Sequence, residues 1–306
     1  MKNLQDYRSE YKKLKISKFE YSKRIYYIHK YLFQYSDDLK NTDISSIEIT
    51  DKEVIMTFRD SLIKMLLMRG DTSIPPLAAF NLGQYEKEEL DVAVSTVKKN
   101  LGRKKFVLMD VGANVGWFSL HIAKLFRNSR IFAIEPMPHA YDCLKRNIKL
   151  NKLDNIRTFK IGFSDKKAAV EFYCEPKRCS SSSMKNITGT KEVEIIKAQT
   201  ETMDSFTESR RIQIDFIKCD VEGAEYLVLK GGLRSLTRDK PIIFIELLRK
   251  WSAKYNYQPN DVIKMLRQIG YSCYRINNCR LVRFDKMTEN TKETNFFFLD
   301  KKKHRI

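Results

Sequence analysis

The chain has 306 residues, of which 42% are hydrophobic and 31% charged, and its formal net charge is +19. This composition is typical of a globular protein and excludes a disordered one, and no apolar stretch reaches the roughly 20 residues that cross a bilayer. The first residues lack a signal peptide and the six cysteines form no Cys-x-x-Cys pair, so we expect a cytoplasmic protein without a structural zinc site.

The N-terminal segment is rich in tyrosine and lysine. Residues 1–35 hold nine Lys or Arg residues against three Asp or Glu residues. Apolar and aromatic residues recur three or four positions apart, at Leu4, Tyr7, Tyr11 and Leu14. This spacing predicts a basic amphipathic helix within an extension of residues 1–45. We expect its Tyr and Leu side to pack on the rest of the protein; the alternative is a contact with a membrane surface or a partner.

Residues 46–100 are predicted to form a β-hairpin and a helical lead-in. Two short strands fit residues 46–58 around a turn at 50–52. Residues 69–76 are a turn-rich break, and a helix is predicted from Glu86 to about Asn100.

From residue 101 onward, strand-like and helix-like stretches alternate. Strands are predicted over 106–110, 130–135, 156–161, 214–219, 241–247, 271–276 and 294–299, and helices over 117–127, 138–151, 222–236 and 259–269. An insertion, 168–204, is expected to hold two short strands around CSSSSMKN. The uniformly apolar strands predict a parallel sheet with helices on both faces, which binds ligands beyond the carboxyl ends of its strands.

The stretch DVGANVG, residues 110–116, follows the first of these strands. It fails the dinucleotide pattern G-x-G-x-x-G at Asn114 and Trp117, and no Gly-Lys-Ser/Thr follows it to bind a nucleoside triphosphate. The remaining pattern places Asp110 two residues before Gly112. An acid there would repel a pyrophosphate and favours a positively charged ligand. S-adenosylmethionine (SAM) carries a sulfonium and an ammonium group and no phosphate.

Two more acids follow the next two predicted strands. Glu135 ends the strand in IFAIEP, where its carboxylate can accept hydrogen bonds from both ribose hydroxyls. Asp165, in IGFSD, is expected to bind the adenine amino group. Three acids at three successive strand ends predict SAM as the ligand.

At this point the chain resembles the FkbM-type SAM-dependent methyltransferases. The resembling stretches span roughly residues 80–250 in the family's order: LGQYEKEELD, VLMDVGANVGWFSL, IFAIEPMPHAYDCLKRNIKLN, IGFSD, TETMDSF, IDFIKCDVEGAEYLVLKGG and PIIFIE. The resemblance implies an α/β fold over 101–306, a Rossmann-like seven-stranded sheet with helices on both faces, behind an N-terminal helical and β-hairpin extension. It also implies SAM as methyl donor and, usually, O-methylation of a sugar or polyketide hydroxyl. The SAM contacts that it implies are Asp110, Gly112, Asn114, Gly116, Glu135 and Asp165.

A hydroxyl acceptor needs a base, or a metal ion that lowers its pKa. Asp220, in IKCDVEGAE, ends the fourth core strand, where the methyl group is expected, and we predict it to be the base or a Mg²⁺ ligand. Glu222 either acts beside it or interacts with a helix start, and Glu225 is expected to share its face. Glu246 ends the strand PIIFIE and is predicted to face the acceptor or a metal ion.

Two further features are expected near this site. His139 follows the Glu135-Pro136 pair and is expected on a helix near the cofactor. The serine run 180–183, with Lys177 and Arg178, forms either a lid that meets the acceptor or a flexible polar loop.

These features predict a SAM-dependent O-methyltransferase that acts on a hydroxyl of a sugar, a glycan or another small natural product. The alternative is an RNA methyltransferase, which would explain the charge of +19 better. Against it, no N-P-P-Y-like motif ends the fourth strand and no RNA-binding module is recognisable in the first 100 residues. A SAM-binding protein without activity is a third hypothesis, which the acids at every strand end disfavour.

Overall fold

The computed structural model describes residues 3–102, 104–175 and 178–306; the side chains of residues 178–181 are outside this description. The strands, in chain order, are β1 Ile44–Ile49, β2 Val54–Phe58, β3 Lys64–Leu66, β4 Val107–Val111, β5 Arg130–Ile134, β6 Ile156–Phe159, β7 Gly162–Phe163, β8 Ala168–Glu175, β9 Arg178–Ser183, β10 Glu194–Glu201, β11 Phe216–Cys219, β12 Ile242–Glu246, β13 Tyr271–Asn277, β14 Arg280–Phe284 and β15 Asn295–Asp300. The helices are α1 Leu4–Lys12, α2 Lys18–His29, α3 Tyr31–Asp38, α4 Pro75–Leu82, α5 Lys87–Asn100, α6 Trp117–Leu125, α7 Pro138–Leu150, α8 Met203–Arg210, α9 Glu225–Lys230, α10 Leu233–Asp239, α11 Arg249–Ser252 and α12 Pro259–Gln268.

One eight-stranded sheet organises the chain, in the order β14-β13-β15-β12-β11-β4-β5-β6. Strands β4, β5, β6, β11 and β12 are parallel, as predicted, whereas β15 runs antiparallel to both β12 and β13, so the sheet is mixed and the prediction of a wholly parallel sheet is wrong. All seven predicted core strands are in this sheet, which confirms the Rossmann-like α/β fold. The eighth strand, β14, was not predicted. It returns from β13 through Asn278 and Cys279, both with positive φ, so a two-residue hairpin turn forms without the usual glycine.

Helices cover both faces of the sheet. Alternate side chains of its buried strands point to opposite faces, so both faces present apolar side chains that the helices cover. In β4, Leu108 belongs to one apolar cluster and Met109 to the other. The first cluster includes residues of α5, α6 and α7: Val97, Phe118 and Leu144. The second includes residues of α8, α9, α10 and α12: Phe206, Val228, Leu236 and Leu266. The predicted two-sided burial is confirmed.

The predicted helix 222–236 is wrong as one element, because the structure divides it at Gly231 and Gly232. A Cβ atom on Gly231 would lie 2.1 Å from the backbone oxygen of Ser164. One on Gly232 would lie 2.8 Å from the sulfur of Met203. The chain therefore needs two small residues here to pack α9 and α10 against their neighbours.

The lead-in and the insertion contain more regular structure than the sequence patterns indicate. The hairpin of β1 and β2 is confirmed, but β3 and α4 were missed; α4 begins at Pro75, inside the predicted break 69–76, and proline suits the first turn of a helix. The insertion contributes three strands, β8, β9 and β10, to a four-stranded sheet with β7, in the order β7-β10-β8-β9, where only two short strands were expected.

The N-terminal segment forms three helices, and the prediction that it packs on the rest of the protein holds only in part: Tyr35 of α3 stacks on Phe80 of α4. The chain turns at Leu14, which has φ 56° and is 88% exposed, and α2 starts after the N-cap Ser17. No residue of α1, α2 or α3, all within the described part of the chain, is buried. Tyr11 stacks on Tyr21, so part of the aromatic surface is used between helices. None of the helices in the described part of the chain combines the length and the hydrophobicity that a membrane span requires.

Candidate active site

A cleft of about 270 Å³ lies beyond the carboxyl ends of β4, β5, β11 and β12. The lead-in closes one side with Tyr85 and Glu86, and the insertion contributes Phe172, Ser182 and Met184. The sheet side presents the stretch after β4, the residues after β5 and the residues after β11. The predicted site residues that line it are Gly112, Asn114, Glu135, Asp220, Glu222 and Glu246.

The turn after β4 needs its glycines for the fold itself. Gly112 has φ +81°, and a Cβ atom there would lie 1.8 Å from the backbone oxygen of Asp220. Gly116 has φ +96°, and its Cβ would lie 2.6 Å from a methyl carbon of Leu144. Only glycine fits both the backbone angle and the space at these positions. The turn is therefore held close to the end of β11 before any ligand binds.

Glu135 fixes this turn from the next strand. One carboxylate oxygen accepts the backbone N–H of Asn114 at 2.7 Å and the other accepts the backbone N–H of Met137 at 2.9 Å. Burial raises the pKa of Glu135 to about 7, although both hydrogen bonds oppose the shift. Each oxygen keeps a further lone pair that can face a ligand in the cleft.

Some of the predicted cofactor contacts do not line the cleft. Asp110 is fully buried beneath the turn, where it accepts a hydrogen bond from the Ser119 hydroxyl at 2.6 Å, and burial raises its pKa. Gly116 starts α6 behind the turn. The structure does not bring Asp165 to the cleft either, because its carboxylate pairs with Lys230 at 3.3 Å. His139 is on α7 as expected, but it is exposed and absent from the cleft lining among the described residues.

A lysine in the fourth core strand holds Asp220. The Lys218 ammonium donates to a carboxylate oxygen of Asp220 at 2.9 Å, with only 13% of the lysine side chain exposed. Burial opposes the lysine charge, but the carboxylates of Asp220, Asp110 and Glu86 outweigh it and raise the pKa of Lys218. Lys218 was not predicted, although a lysine inside the apolar stretch IDFIKCD was a visible signal.

Three carboxylates meet at the ends of β11 and β12. One oxygen each of Asp220, Glu222 and Glu246 lies within 4.8 Å of the others, and all three side chains are half-buried. Burial, and then repulsion from Asp220 and Glu222, raises the pKa of Glu246 to about 10. The cluster itself consists of carboxylates, with Lys218 paired to Asp220 beside it, and carboxylate oxygens are the ligands that Mg²⁺ and Ca²⁺ prefer.

Glu225 has a different place from the one predicted. It is buried, and one carboxylate oxygen accepts the backbone N–H groups of Val221 and Gly223 at 3.2 and 2.9 Å, while the other accepts the Tyr257 hydroxyl at 2.9 Å. It holds the loop after β11 and does not share a face with Glu222. Glu222 has φ 55° and lies ahead of α9, which begins at Glu225, so it is not a helix cap.

The insertion contacts the loop after β11. The Ser183 hydroxyl donates to the backbone oxygen of Glu222 at 2.7 Å and lies 2.7 Å from the Tyr255 hydroxyl. Ser182 also lines the cleft. Of the predicted lid residues, Lys177 lies outside the described residues, as do the side chains of Arg178, Ser180 and Ser181.

The region that contains this site matches a known protein family. A sequence model described as the methyltransferase FkbM domain matches residues 110–273, which is more than half of the chain. The chain belongs to the FkbM methyltransferase family. The match confirms the resemblance found in the sequence, and it includes the turn after β4, Glu135 and all three clustered carboxylates.

Three relatives illustrate the range of proteins similar to this FkbM-family protein. It is 30% identical over 161 residues to methyltransferase sdnD of Sordaria araneosa, covering 43% of this chain and 62% of sdnD. It is 25% identical over 148 residues to 2-O-methyltransferase NoeI of Sinorhizobium fredii, covering 44% and 60%. It is 44% identical over 50 residues to the tRNA(Phe) (4-demethylwyosine(37)-C(7)) aminocarboxypropyltransferase of Methanocaldococcus jannaschii, covering 16% and 20%. The chain thus spans at most about three fifths of these relatives' length.

The cleft of this FkbM-family protein is acidic, in contrast to the whole chain. Five carboxylates line it against the single ammonium group of Lys218, counting the described residues; the acids are Glu86, Glu135, Asp220, Glu222 and Glu246. Sequence reasoning missed Glu86, because it reaches the cleft from the start of α5, far from the strand ends. The charge of +19 lies elsewhere, and the cleft itself favours a cation.

Proposed function

We propose that the protein is a SAM-dependent O-methyltransferase that acts on a hydroxyl of a sugar, a glycan or another small natural product. The observation that carries this proposal is the acidic cleft, with a glycine turn on one side and three clustered carboxylates on the other. Membership of the FkbM methyltransferase family supports the reaction. The relative NoeI, named as a 2-O-methyltransferase, supports a hydroxyl acceptor.

The cofactor end of the cleft is assigned to the turn after β4 and the residues after β5. Bound SAM would supply a methyl group on a positively charged sulfur. Glu135 would accept hydrogen bonds from the ribose hydroxyls with its remaining lone pairs, while it keeps the backbone of Asn114 and Met137 in place. Asp110, buried below, would contribute its charge and not a direct contact. We assign no contact to Asp165.

The acceptor end is assigned to Asp220, Glu222 and Glu246. Without a cation in the cluster, Glu246, with its pKa near 10, is protonated at neutral pH and would donate a hydrogen bond to an acceptor oxygen; a bound cation would displace that proton. Asp220 is fixed by Lys218, which favours a role as a positioned charge or a metal ligand over that of a base. The cluster fits Mg²⁺ because it offers three oxygen ligands whose mutual repulsion a cation would relieve. A bound ion there would lower the pKa of the acceptor hydroxyl.

The direct test is to incubate the protein with methyl-labelled SAM and three separate pools: mixed oligosaccharides, small hydroxylated compounds and total RNA. We expect label in an oligosaccharide or a small compound, bound through oxygen. Label in RNA alone would overturn the proposed acceptor class. Label in none of the pools would count against the proposed function.

The alternative acceptor is RNA, which the basic surface and the tRNA-modifying relative favour. Against this, the cleft is lined by carboxylates that would repel a phosphate backbone.

We also propose that the N-terminal helices contact an anionic membrane surface. On α2, Phe19, Lys23 and Tyr26 share one face at helical spacing, and Phe19 and Tyr26 are 79% and 60% exposed. On α3, Phe33 is 66% exposed. None of the residues of these two helices is buried, and aromatic side chains interspersed with lysines suit the interface of an anionic bilayer.

Replacing Phe19 and Phe33 by serine tests this assignment. We expect the protein to bind phosphatidylglycerol vesicles and not phosphatidylcholine vesicles, and the double variant to bind at least about tenfold more weakly in a flotation assay. The matched control is Ile49→Ser, which changes an apolar side chain that is 63% exposed on β1. Equal flotation of the double variant and the control would overturn the assignment, as would a wild-type protein that ignores both vesicles.

A further inference from the structure

Glu86 lies in the wall of the cleft, in a part of the chain that the family model does not reach. It immediately precedes α5 and has a left-handed backbone, with φ 43°, which is uncommon for a residue other than glycine. The match to the family begins at residue 110. The lead-in therefore adds a carboxylate to the cleft from outside the matched domain.

The surroundings of Glu86 are charged on every side. Lys218 and Asp220 face it from the end of β11, Glu246 faces it from the end of β12, and Glu89 lies on its own helix. The side chain of Tyr85, next to Glu86 in the chain, also interacts with its carboxylate. The Glu86 side chain is exposed to water in the open cleft. The protein that surrounds the cleft still desolvates its carboxylate in part, and this desolvation raises the pKa of Glu86 to about 7. A ligand that fills the cleft would remove that water and leave the carboxylate facing the ligand.

Three of the other carboxylates that line the cleft already interact with groups of the protein that disfavour a role as a base. Glu135 accepts two backbone N–H groups, one on each oxygen. Asp220 is paired with the ammonium of Lys218, which competes for the lone pairs that a base must offer. Glu246 belongs to the carboxylate cluster, where one of its oxygens lies within 4.8 Å of oxygens of both Asp220 and Glu222.

Two carboxylates remain, and Glu86 is the better placed for proton transfer. Glu222 shares the crowded cluster with Asp220 and Glu246. Glu86 enters the cleft from the lead-in and not from the strand ends that carry the cluster, and among the described residues it forms no ion pair, so an acceptor bound between the two walls would present its hydroxyl to Glu86. A base whose pKa is close to the working pH transfers protons most effectively.

We infer that Glu86 is the general base of the proposed methyl transfer, an inference that rests on the proposed function. The acceptor oxygen forms a bond to the methyl carbon with one of its lone pairs as the C–S bond breaks. The C–S electron pair stays on sulfur, which becomes a neutral thioether, and the acceptor O–H proton moves to the Glu86 carboxylate. Charge and atoms balance without another reactant, and Tyr85 steadies the carboxylate that receives the proton.

Glu86→Gln tests this role, because it removes the proton acceptor and keeps the size of the side chain. With methyl-labelled SAM and the oligosaccharide and small-compound pools, we expect the rate to fall about 10²- to 10⁴-fold, with SAM affinity nearly unchanged. The wild-type rate should rise with pH through about 7, as Glu86 loses its proton, and this rise should disappear in the variant. The matched control is Glu89→Gln, on the same helix turn and outside the cleft lining among the described residues.

A second measurement needs no acceptor. With a pKa of about 7, about half of the Glu86 carboxylates carry a proton at pH 7, and the positive sulfur of SAM should displace some of these protons. Calorimetry in buffers of different ionisation enthalpy counts the protons released when SAM binds. We expect release from the wild type and from Glu89→Gln, and less from Glu86→Gln.

The outcomes separate this inference from the proposed function. If the wild-type protein transfers label to none of the pools, the proposed function is contradicted. The number of protons released on SAM binding still shows whether Glu86 loses its proton when the cofactor binds. If the wild-type protein transfers label to a pool and the Glu86→Gln variant does so at the same rate, Glu86 is not the base. Unchanged proton release in the variant overturns it as well. If the pH dependence near 7 vanishes in Asp220→Asn and survives in Glu86→Gln, the base is Asp220.

Discussion

Asp220→Asn is expected to lower the methyl-transfer rate about 10²- to 10³-fold while SAM affinity changes by less than about tenfold. Asparagine keeps the size of the side chain and removes the charge that positions the acceptor or a metal ion. The change also leaves the Lys218 ammonium without its ion pair in a half-closed site. The measurement is the turnover of labelled SAM on the acceptor pool, beside calorimetry of SAM binding.

The role of a metal ion is separated in the same experiment. If Asp220 is a Mg²⁺ ligand, chelation should abolish wild-type turnover and added Mg²⁺ should restore it. If the carboxylates act alone, a chelator should have no effect. An Asp220→Asn protein with near-normal turnover would remove Asp220 from the mechanism and leave the acceptor end to Glu246 and Glu222.

Gly112→Ala is expected to destabilise the protein by about 2–6 kcal/mol, the largest effect that we expect for a single methyl group in this chain. The alanine would need φ near +81°, and its Cβ would lie 1.8 Å from the backbone oxygen of Asp220. The turn and the end of β11 must then separate, which would also displace the two ends of the cleft. Denaturant unfolding of the variant measures the free energy of unfolding directly.

Gly70→Ala is a close control for this change. Gly70 has φ +89°, similar to Gly112, but nothing lies within 4 Å of the position its Cβ would take. It therefore carries the backbone cost without the clash, and we expect about 1 kcal/mol of destabilisation. If the two alanine variants prove equally stable, the close approach of the turn to Asp220 is not a constraint on this fold.

The core of the fold could be read from the sequence because buried parallel strands are nearly continuous apolar runs. All seven such runs form strands, and Glu135, Asp220 and Glu246 follow from strand ends that meet at one edge. Side-chain direction could not be predicted in the same way. Asp165 also follows a strand but turns away to Lys230.

Features that depend on packing between distant segments were missed. Glu86 reaches the cleft because the lead-in folds over it, and nothing local to LGQYEKEELD indicates that contact. Lys218 was visible as a lysine within an apolar strand, but its carboxylate partners become neighbours only in the sheet. The aromatic spacing of residues 1–35 predicted one helix that packs on the rest of the protein. The chain turns at Leu14 instead, Tyr11 packs on Tyr21 of the next helix, and none of the residues in the three helices is fully buried.

The measurement that tests the central claim most directly is calorimetry of SAM binding to the wild type, to Glu135→Ala and to Asp165→Ala. SAM should bind the wild type, whereas NAD should not bind measurably. Glu135→Ala removes the acceptor for two backbone N–H groups and for the ribose hydroxyls, so affinity should fall at least about tenfold, or about 1.4 kcal/mol. Asp165→Ala, whose carboxylate pairs with Lys230 away from the cleft, should bind SAM as the wild type does. A folded wild type that does not bind SAM, or a folded Glu135→Ala variant with unchanged affinity, would contradict the account.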